Sequence, residues 1–293
     1  MNRSYQNILQ SFKKWLQTLG YAESTVYASV NYTRDFFTWL ESNQVNLLNE
    51  VTGKMLQEYH RHLETRKNRR RSGSLSVNYI TGNINALKRL SKYLQETGKG
   101  SLEVELKARP DDRTIKTILT PAEVQALYRA CDSDYLGIRD RAILAIYYGC
   151  GLRKSEGLAL DTSDVLLREK RILVRKGKHY RQRWVPITES VKEDLEEYLF
   201  TARQKILSFK PVNTDAFFLS MRVNRMCGNA LIERIHRLTK AARIEKQVGL
   251  HTLRHSIATH LLQSGLELEE VSRFLGHSSL ESTQIYTHLA HEI

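Results

Sequence analysis

Cysteine, proline and glycine are all scarce in this 293-residue chain, with Cys 3, Pro 4 and Gly 15. The cysteines, Cys131, Cys150 and Cys227, are odd in number, far apart and without Cys-x-x-Cys spacing. That pattern excludes a secreted disulfide scaffold and fits reduced thiols in a cytoplasmic protein. So few helix breakers favour a mostly helical chain. No stretch approaches the roughly 18 apolar residues of a membrane span. The opening segment MNRSYQNILQSFKKWL alternates polar and apolar residues and does not read as a signal peptide. The Gly-rich loop that cradles nucleotide phosphates does not occur. Neither does an internal repeat, which excludes a solenoid.

What the chain does carry is positive charge: Lys+Arg 45 against Asp+Glu 32, a formal net charge of +13. With 41% hydrophobic and 26% charged residues the composition is that of a folded protein, and the charge excess argues for a polyanionic partner. Nucleic acid is the first candidate and an anionic membrane surface the second. Residues 1–110 hold 17 Lys+Arg and 9 Asp+Glu, so the first part is the more basic per residue.

The length suggests two domains, each large enough to bury a core. Apolar residues recur at helical spacing at Val26, Val30, Phe37 and Leu40, and again at Ile80, Ile84, Leu87, Leu90 and Leu94. The spacing predicts four helices near residues 5–18, 23–41, 51–66 and 75–97. Glu23-Ser24-Thr25 and Ser74 or Ser76 supply start signals, and Gly98 and Gly100 a stop. LKARPDDRTIKTI has no apolar periodicity and reads as a linker, after which Thr120-Pro121 opens a new helix. The expected division is residues 1–108, a linker over 109–117, and a second domain over 118–293. In that second domain, residues 137–149 and 188–206 and a tail from 228 onward read as helices. Ile172-Leu173-Val174 and Trp184-Val185-Pro186-Ile187 flank a basic turn and predict a small antiparallel sheet. The fold class is therefore mainly α, with a mixed α+β second domain.

Six of the ten histidines, His251, His255, His260, His277, His288 and His291, fall in the last 43 residues. His251 and His255 at i, i+4 could hold a metal on one helical face. The intervening Thr-Leu-Arg lacks the glutamate of a zinc protease, however, and puts Arg254 beside the metal, so no metal site is assigned.

A different constellation explains more residues together. Gly151-Leu152-Arg153-Lys154-Ser155-Glu156 follows an apolar helix, and His251-Thr252-Leu253-Arg254-His255 sets His251 and Arg254 at i, i+3. Leu275-Gly276-His277 comes next, and nine residues after His277 stands Tyr286. Lys176 lies in the basic turn, with Lys178 two residues on. Two arginines, two histidines, a lysine and a tyrosine form a set suited to handling phosphate. Planar arginine forks can neutralise the non-bridging oxygens of a phosphodiester in the transition state without a metal. His251 can exchange a proton with a nucleophile or hold its phenol. A tyrosine, with a pKa near ~10, needs such cationic surroundings to lose its proton near neutral pH.

In this order and spacing the chain resembles the tyrosine recombinase, or phage-integrase, family. The resemblance implies a four-helix, SAM-like core-binding domain followed by a catalytic domain, the two clamping duplex DNA. It implies that Tyr286 attacks a DNA phosphate to give a 3′-phosphotyrosine. Arg153, Arg254 and His277 would bind the phosphate, and Lys176 would act as general acid. It further implies double-stranded DNA carrying specific recombination sites as partner, and a homotetramer on two sites with room for an accessory DNA-bending protein. No cofactor is implied, and the phosphotyrosine conserves the bond energy, so religation needs no ATP. Glu156 reads either as a support that orients a cation or as one half of an ordinary surface pair. Arg66-Lys67-Asn68-Arg69-Arg70-Arg71 has five basic residues in six. Since the family's second and fourth helices lie against DNA, Arg66, Lys67, Arg69, Arg70 and Arg71 are candidates for phosphates. Asn78, Asn83, Asn85 and Lys88, on the polar face of the fourth helix, are candidates for the grooves. A non-catalytic DNA-binding protein and a type IB topoisomerase stay open beside the recombinase.

Overall fold

Helical spacing of apolar side chains builds the first unit, Met1–Thr114, from α1 (Arg3–Thr18), α2 (Glu23–Ser42), α3 (Gly53–Thr65) and α4 (Val77–Glu96). The computed structural model describes residues 1–68, 72–107, 117–175 and 182–276. Arg69, Arg70 and Arg71, most of the expected linker, Lys176, Lys178, His277 and Tyr286 lie outside the described residues. The unit's core runs between α1, α2, α3 and α4 through Phe12, Leu16, Phe36, Phe37, Leu40, Tyr59, Leu87, Leu90 and Leu94. Asn2, Thr52 and Ser76 cap α1, α3 and α4 by accepting backbone N–H bonds. No side chain caps α2, because the helix starts at Glu23 itself. That acidic residue sits in the first turn, where its charge suits the positive end of the helix dipole.

The second unit, Ile115–Ile293, starts with α5 (Pro121–Arg129), whose cap is a reciprocal pair: Thr120 Oγ1 accepts from the Glu123 amide and Glu123 accepts from the Thr120 amide. α6 (Tyr135–Leu144) runs into a π turn over Ala145–Gly149 and is followed by the short α7 (Lys154–Leu158). β1 (Val165–Leu166), β2 (Arg171–Val174) and β3 (Arg183–Pro186) form an antiparallel sheet in the order β1-β2-β3, with Ile172 opposite Val185. The two-residue β1 and five-residue α7 are too short to show a periodicity in the sequence. α8 (Glu189–Glu197) continues through a second π turn, Tyr198–Ala202, into α9 (Arg203–Leu207). α10 (Gly228–Ala241), α11 (Leu250–Gln263) and α12 (Leu268–Leu275) complete the described part. Ile143, Tyr147, Leu160, Ile172, Val174, Val185, Leu195, Phe217, Phe218 and Leu253 fill one core, so the sheet, α6 and α11 share a common floor. Among the described residues no helix is long and apolar enough to cross a membrane.

Candidate active site

The site starts from a backbone reversal that only glycine tolerates well. Gly151 has φ +59, and a Cβ there would meet Leu275 Cδ2 at 2.8 Å. The reversal brings Arg153 to the N-terminus of α7. Tyr147, fully buried on the π turn, donates its hydroxyl to the Lys154 carbonyl at 3.1 Å and pins that turn from below. Burial pushes the Tyr147 phenol far up from its ordinary range, so it stays a neutral donor.

Arg153, Glu156, Arg183 and Arg254 meet at this turn. Glu156 is 3% exposed and accepts from four donors. The Arg153 amide reaches its Oε2 at 2.9 Å and Arg153 Nη1 its Oε1 at 2.8 Å. From β3, Arg183 forks onto the same carboxylate, Nη1 to Oε1 at 3.0 Å and Nη2 to Oε2 at 2.9 Å. Burial works to raise the Glu156 carboxyl, but the bonds and charges of Arg183 and Arg153 outweigh it and bring the group down to about 2. It is therefore an anion held between two arginines and no ordinary surface pair.

All three arginines also close on the end of α12. Arg183 Nε donates to the Phe274 carbonyl at 3.4 Å, Arg254 Nη2 to the Leu275 carbonyl at 2.7 Å, and Arg153 Nη2 to the Gly276 carbonyl at 2.9 Å. Arg254, 3% exposed on α11, donates a further bond to the Gly151 carbonyl. The last carbonyls of a helix lack intrahelical donors and carry partial negative charge, so cations are favoured there. Three guanidinium groups against one carboxylate leave the cluster positive, and it ends at Gly276, whose successor in sequence is His277. His251, one turn before Arg254, is exposed, and its ring lies 6.3 Å from that of His255. His260 meets the Tyr148 hydroxyl through Nδ1 at 2.9 Å. At the end of β2, Arg175 is tied to Asp164 at 2.7 Å and also to Asp161, which Arg225 holds from its other side. The strand is thereby anchored one residue before Lys176.

In the first unit, Asn78, Asn85 and Lys88 lie exposed along α4, and Lys67 is exposed beyond α3. Arg66 is half-buried, 3.7 Å from Asp35 and 3.3 Å from the Tyr79 hydroxyl. A groove of about 790 Å³ beside it is lined by Tyr27, Asn31, Tyr32, Asp35, Arg66 and Tyr79. Asn83 corrects the expectation of a groove-reading polar face. It is 1% exposed, accepts from the Tyr59 hydroxyl at 3.1 Å and donates to the Tyr79 carbonyl at 2.9 Å. Its amide is spent satisfying a buried phenol between α3 and α4.

Sequence reasoning missed Arg183 and Tyr147. The signal for Arg183 was present in the period of its strand: it stands two residues from the buried Val185, which puts both on the core-facing side. Tyr147, inside an apolar run, carries no such mark.

Residues 117–292 match the model of the phage integrase family. The tyrosine recombinase XerD of Pseudomonas aeruginosa is 34% identical, over 94% of this chain and 90% of its own length. The tyrosine recombinase XerC of Anoxybacillus flavithermus is 30% identical, over 96% and 92%. Among solved structures, the XerH site-specific recombinase bound to a palindromic difH substrate, a post-cleavage complex, superposes with a TM-score of 0.74 at 21% identity, covering 100% of this chain and 95% of that one. The chain belongs to the phage integrase family, the tyrosine recombinases. Its activity is site-specific DNA recombination by the tyrosine mechanism.

Proposed function

We propose that this recombinase cuts and rejoins double-stranded DNA through Tyr286, with Arg153 and Arg254 as the phosphate clamp. The phenolate oxygen of Tyr286 forms a bond to the scissile phosphorus, and the bond from phosphorus to the 5′ oxygen breaks. The product is a 3′-phosphotyrosine and a strand end that takes up a proton to become a 5′-hydroxyl. Lys176, or Lys178 in the same turn, supplies that proton. Arg153, Arg254 and His277 neutralise the non-bridging oxygens, and His251 holds or deprotonates the phenol. Attack of another 5′-hydroxyl on the phosphotyrosine reverses these bonds and joins the exchanged strand, so neither metal nor ATP enters the balance.

The observation that carries this reading is the convergence of Arg153 and Arg254 on the Gly276 and Leu275 carbonyls, from a turn and a helix about one hundred residues apart in sequence. A pair of guanidinium groups so placed, at a helix end whose next residue in sequence is His277, suits the charge of a phosphodiester. Residues 118–293 would then be the catalytic domain. Residues 1–108 would bind DNA, through α2, α4 and the basic run at Arg66, Lys67, Arg69, Arg70 and Arg71. The working unit is a homotetramer in the cytoplasm, engaging two DNA sites.

The test uses nicked suicide duplexes made from the DNA flanking the gene, incubated in chelator with wild type and with Tyr286→Phe and run on a denaturing gel. A covalent protein–DNA band with wild type alone is the expected result. A band with both proteins displaces Tyr286 as nucleophile, and loss of the wild-type band in chelator displaces the metal-free mechanism. Lys176→Ala and Lys178→Ala, each assayed on a substrate whose 5′ leaving atom is sulfur, identify the general acid. Sulfur leaves without protonation, so it restores cleavage only to the variant that has lost the proton donor.

A further inference from the structure

Arg183 has no part in the scheme above, yet it is the most tightly enclosed member of the arginine pair on Glu156, with a side chain 13% exposed. Its planar fork occupies both oxygens of a carboxylate that is itself 1% exposed as a side chain. Its stem lies so close beneath the end of α12 that a Cβ on Gly276 would meet Arg183 Cδ and Nε at 2.8 Å. We infer that Arg183 is a positioning residue for DNA cleavage, one that acts by holding Glu156 and seating Gly276 so that Arg153 can face the scissile phosphate.

The physics of the shared carboxylate supports this assignment, which rests on the recombinase reading. A buried carboxylate must be paired, and it draws the nearest cation as fully as geometry allows. With Arg183 on both oxygens, Arg153 meets Glu156 through Nη1 and its own amide and directs Nη2 to the Gly276 carbonyl. Without Arg183, the same carboxylate would take the Arg153 fork for itself, and the charge meant for the phosphate would be spent inside the protein. Lysine cannot stand in, because a single ammonium does not bridge two oxygens in a plane. The contact with Gly276 extends the effect, since Gly276 is the residue before His277 and its carbonyl is the one Arg153 uses.

The experiment uses the full-length protein and a duplex that it selects from a random-sequence pool, carrying nicks tiled across the bound region. The wild-type adduct maps the scissile phosphate, and a second substrate carries a methylphosphonate there, in which methyl replaces one non-bridging oxygen and the linkage loses its single negative charge. Arg183→Gln is expected to cleave the ordinary phosphate about 100-fold more slowly, with DNA affinity within about threefold of wild type. Arg183→Lys should stay within about threefold of that low rate. On methylphosphonate, which asks less of Arg153, the gap between variant and wild type should shrink to less than about tenfold. Equal losses on both substrates would mean a general structural role and overturn the inference. So would wild-type cleavage by Arg183→Lys, whatever the folding of Arg183→Gln. Absence of any wild-type adduct would instead overturn the recombinase mechanism itself, and this inference with it.

Discussion

Arg254 Nη2 donates to the Leu275 carbonyl at 2.7 Å, so the deepest arginine of the site is oriented by the end of another helix. Another of its partners, the Gly151 carbonyl, belongs to the turn that carries Arg153. One side chain therefore sets the spacing of the two guanidinium groups that would share a phosphate.

Arg254→Lys keeps the charge but removes the fork that reaches two carbonyls together. Single-turnover cleavage should fall by about 100- to 1,000-fold, the usual cost of one transition-state donor. Binding of duplex DNA, which depends on many phosphate contacts, should change by less than about threefold. A loss of binding that matched the loss of rate would assign Arg254 to affinity and not to the chemical step.

Gly276 is held at φ +66, and the space a side chain would need is filled by Arg183. Gly276→Ala should cost about 1–2 kcal/mol from the left-handed backbone alone. For a domain of this size that is roughly 2–8 °C in Tm. Cleavage should fall further than the small unfolded fraction explains, because the Gly276 carbonyl is an anchor of Arg153. Differential scanning calorimetry and the suicide-substrate assay, run on the same preparation, separate the two effects. A variant that melts lower and cleaves normally would show that the anchor is dispensable.

Stability should depend on Glu156 in acid. Its folded carboxyl lies at about 2, below the ordinary 4.5, because Arg183 and Arg153 overcome the effect of burial. A depressed carboxyl contributes stability that is complete above about pH 4.5 and is lost as the pH falls toward 2. The contribution is on the order of 3 kcal/mol when complete. Unfolding free energies of wild type and Glu156→Gln should therefore differ most above about pH 5 and converge toward about pH 2. A difference independent of pH would mean that Glu156 acts through packing and not through its charge.

Much of this was legible in the amino-acid order. The four helices of the first unit follow from long apolar periodicities, and Arg153 and Arg254 stood out because their motifs occur in a fixed order. The remainder depends on burial, which a one-dimensional pattern reports poorly. Asn83 reads as polar surface by type, yet it sits one residue before Ile84 and on the side of α4 that faces Tyr59, where its amide satisfies a phenol. Glu156 could have been a surface pair until α7 was seen to bring it under Arg183, and α7 is too short to leave a period. Arg183 was visible only through alternation with Val185 in a four-residue strand, a signal that is weak at that length.

The same distinction separates two groups of DNA-binding candidates by experiment. Arg69, Arg70 and Arg71 are candidates for phosphate contacts. Changing all three to alanine should weaken binding to every duplex and reduce the slope of log affinity against log salt by about 3, near 0.9 for each phosphate no longer neutralised. Asn83→Ala should behave in the opposite way. It strips the Tyr59 hydroxyl of its acceptor and should lower stability by about 1–3 kcal/mol, while the salt slope and base preference of the folded protein stay as in wild type. Fluorescence anisotropy across a salt series, alongside denaturant unfolding, reads both. A changed base preference for Asn83→Ala with unaltered stability would return that residue to the DNA interface. An unchanged slope for the triple variant would make the basic run a solvated loop.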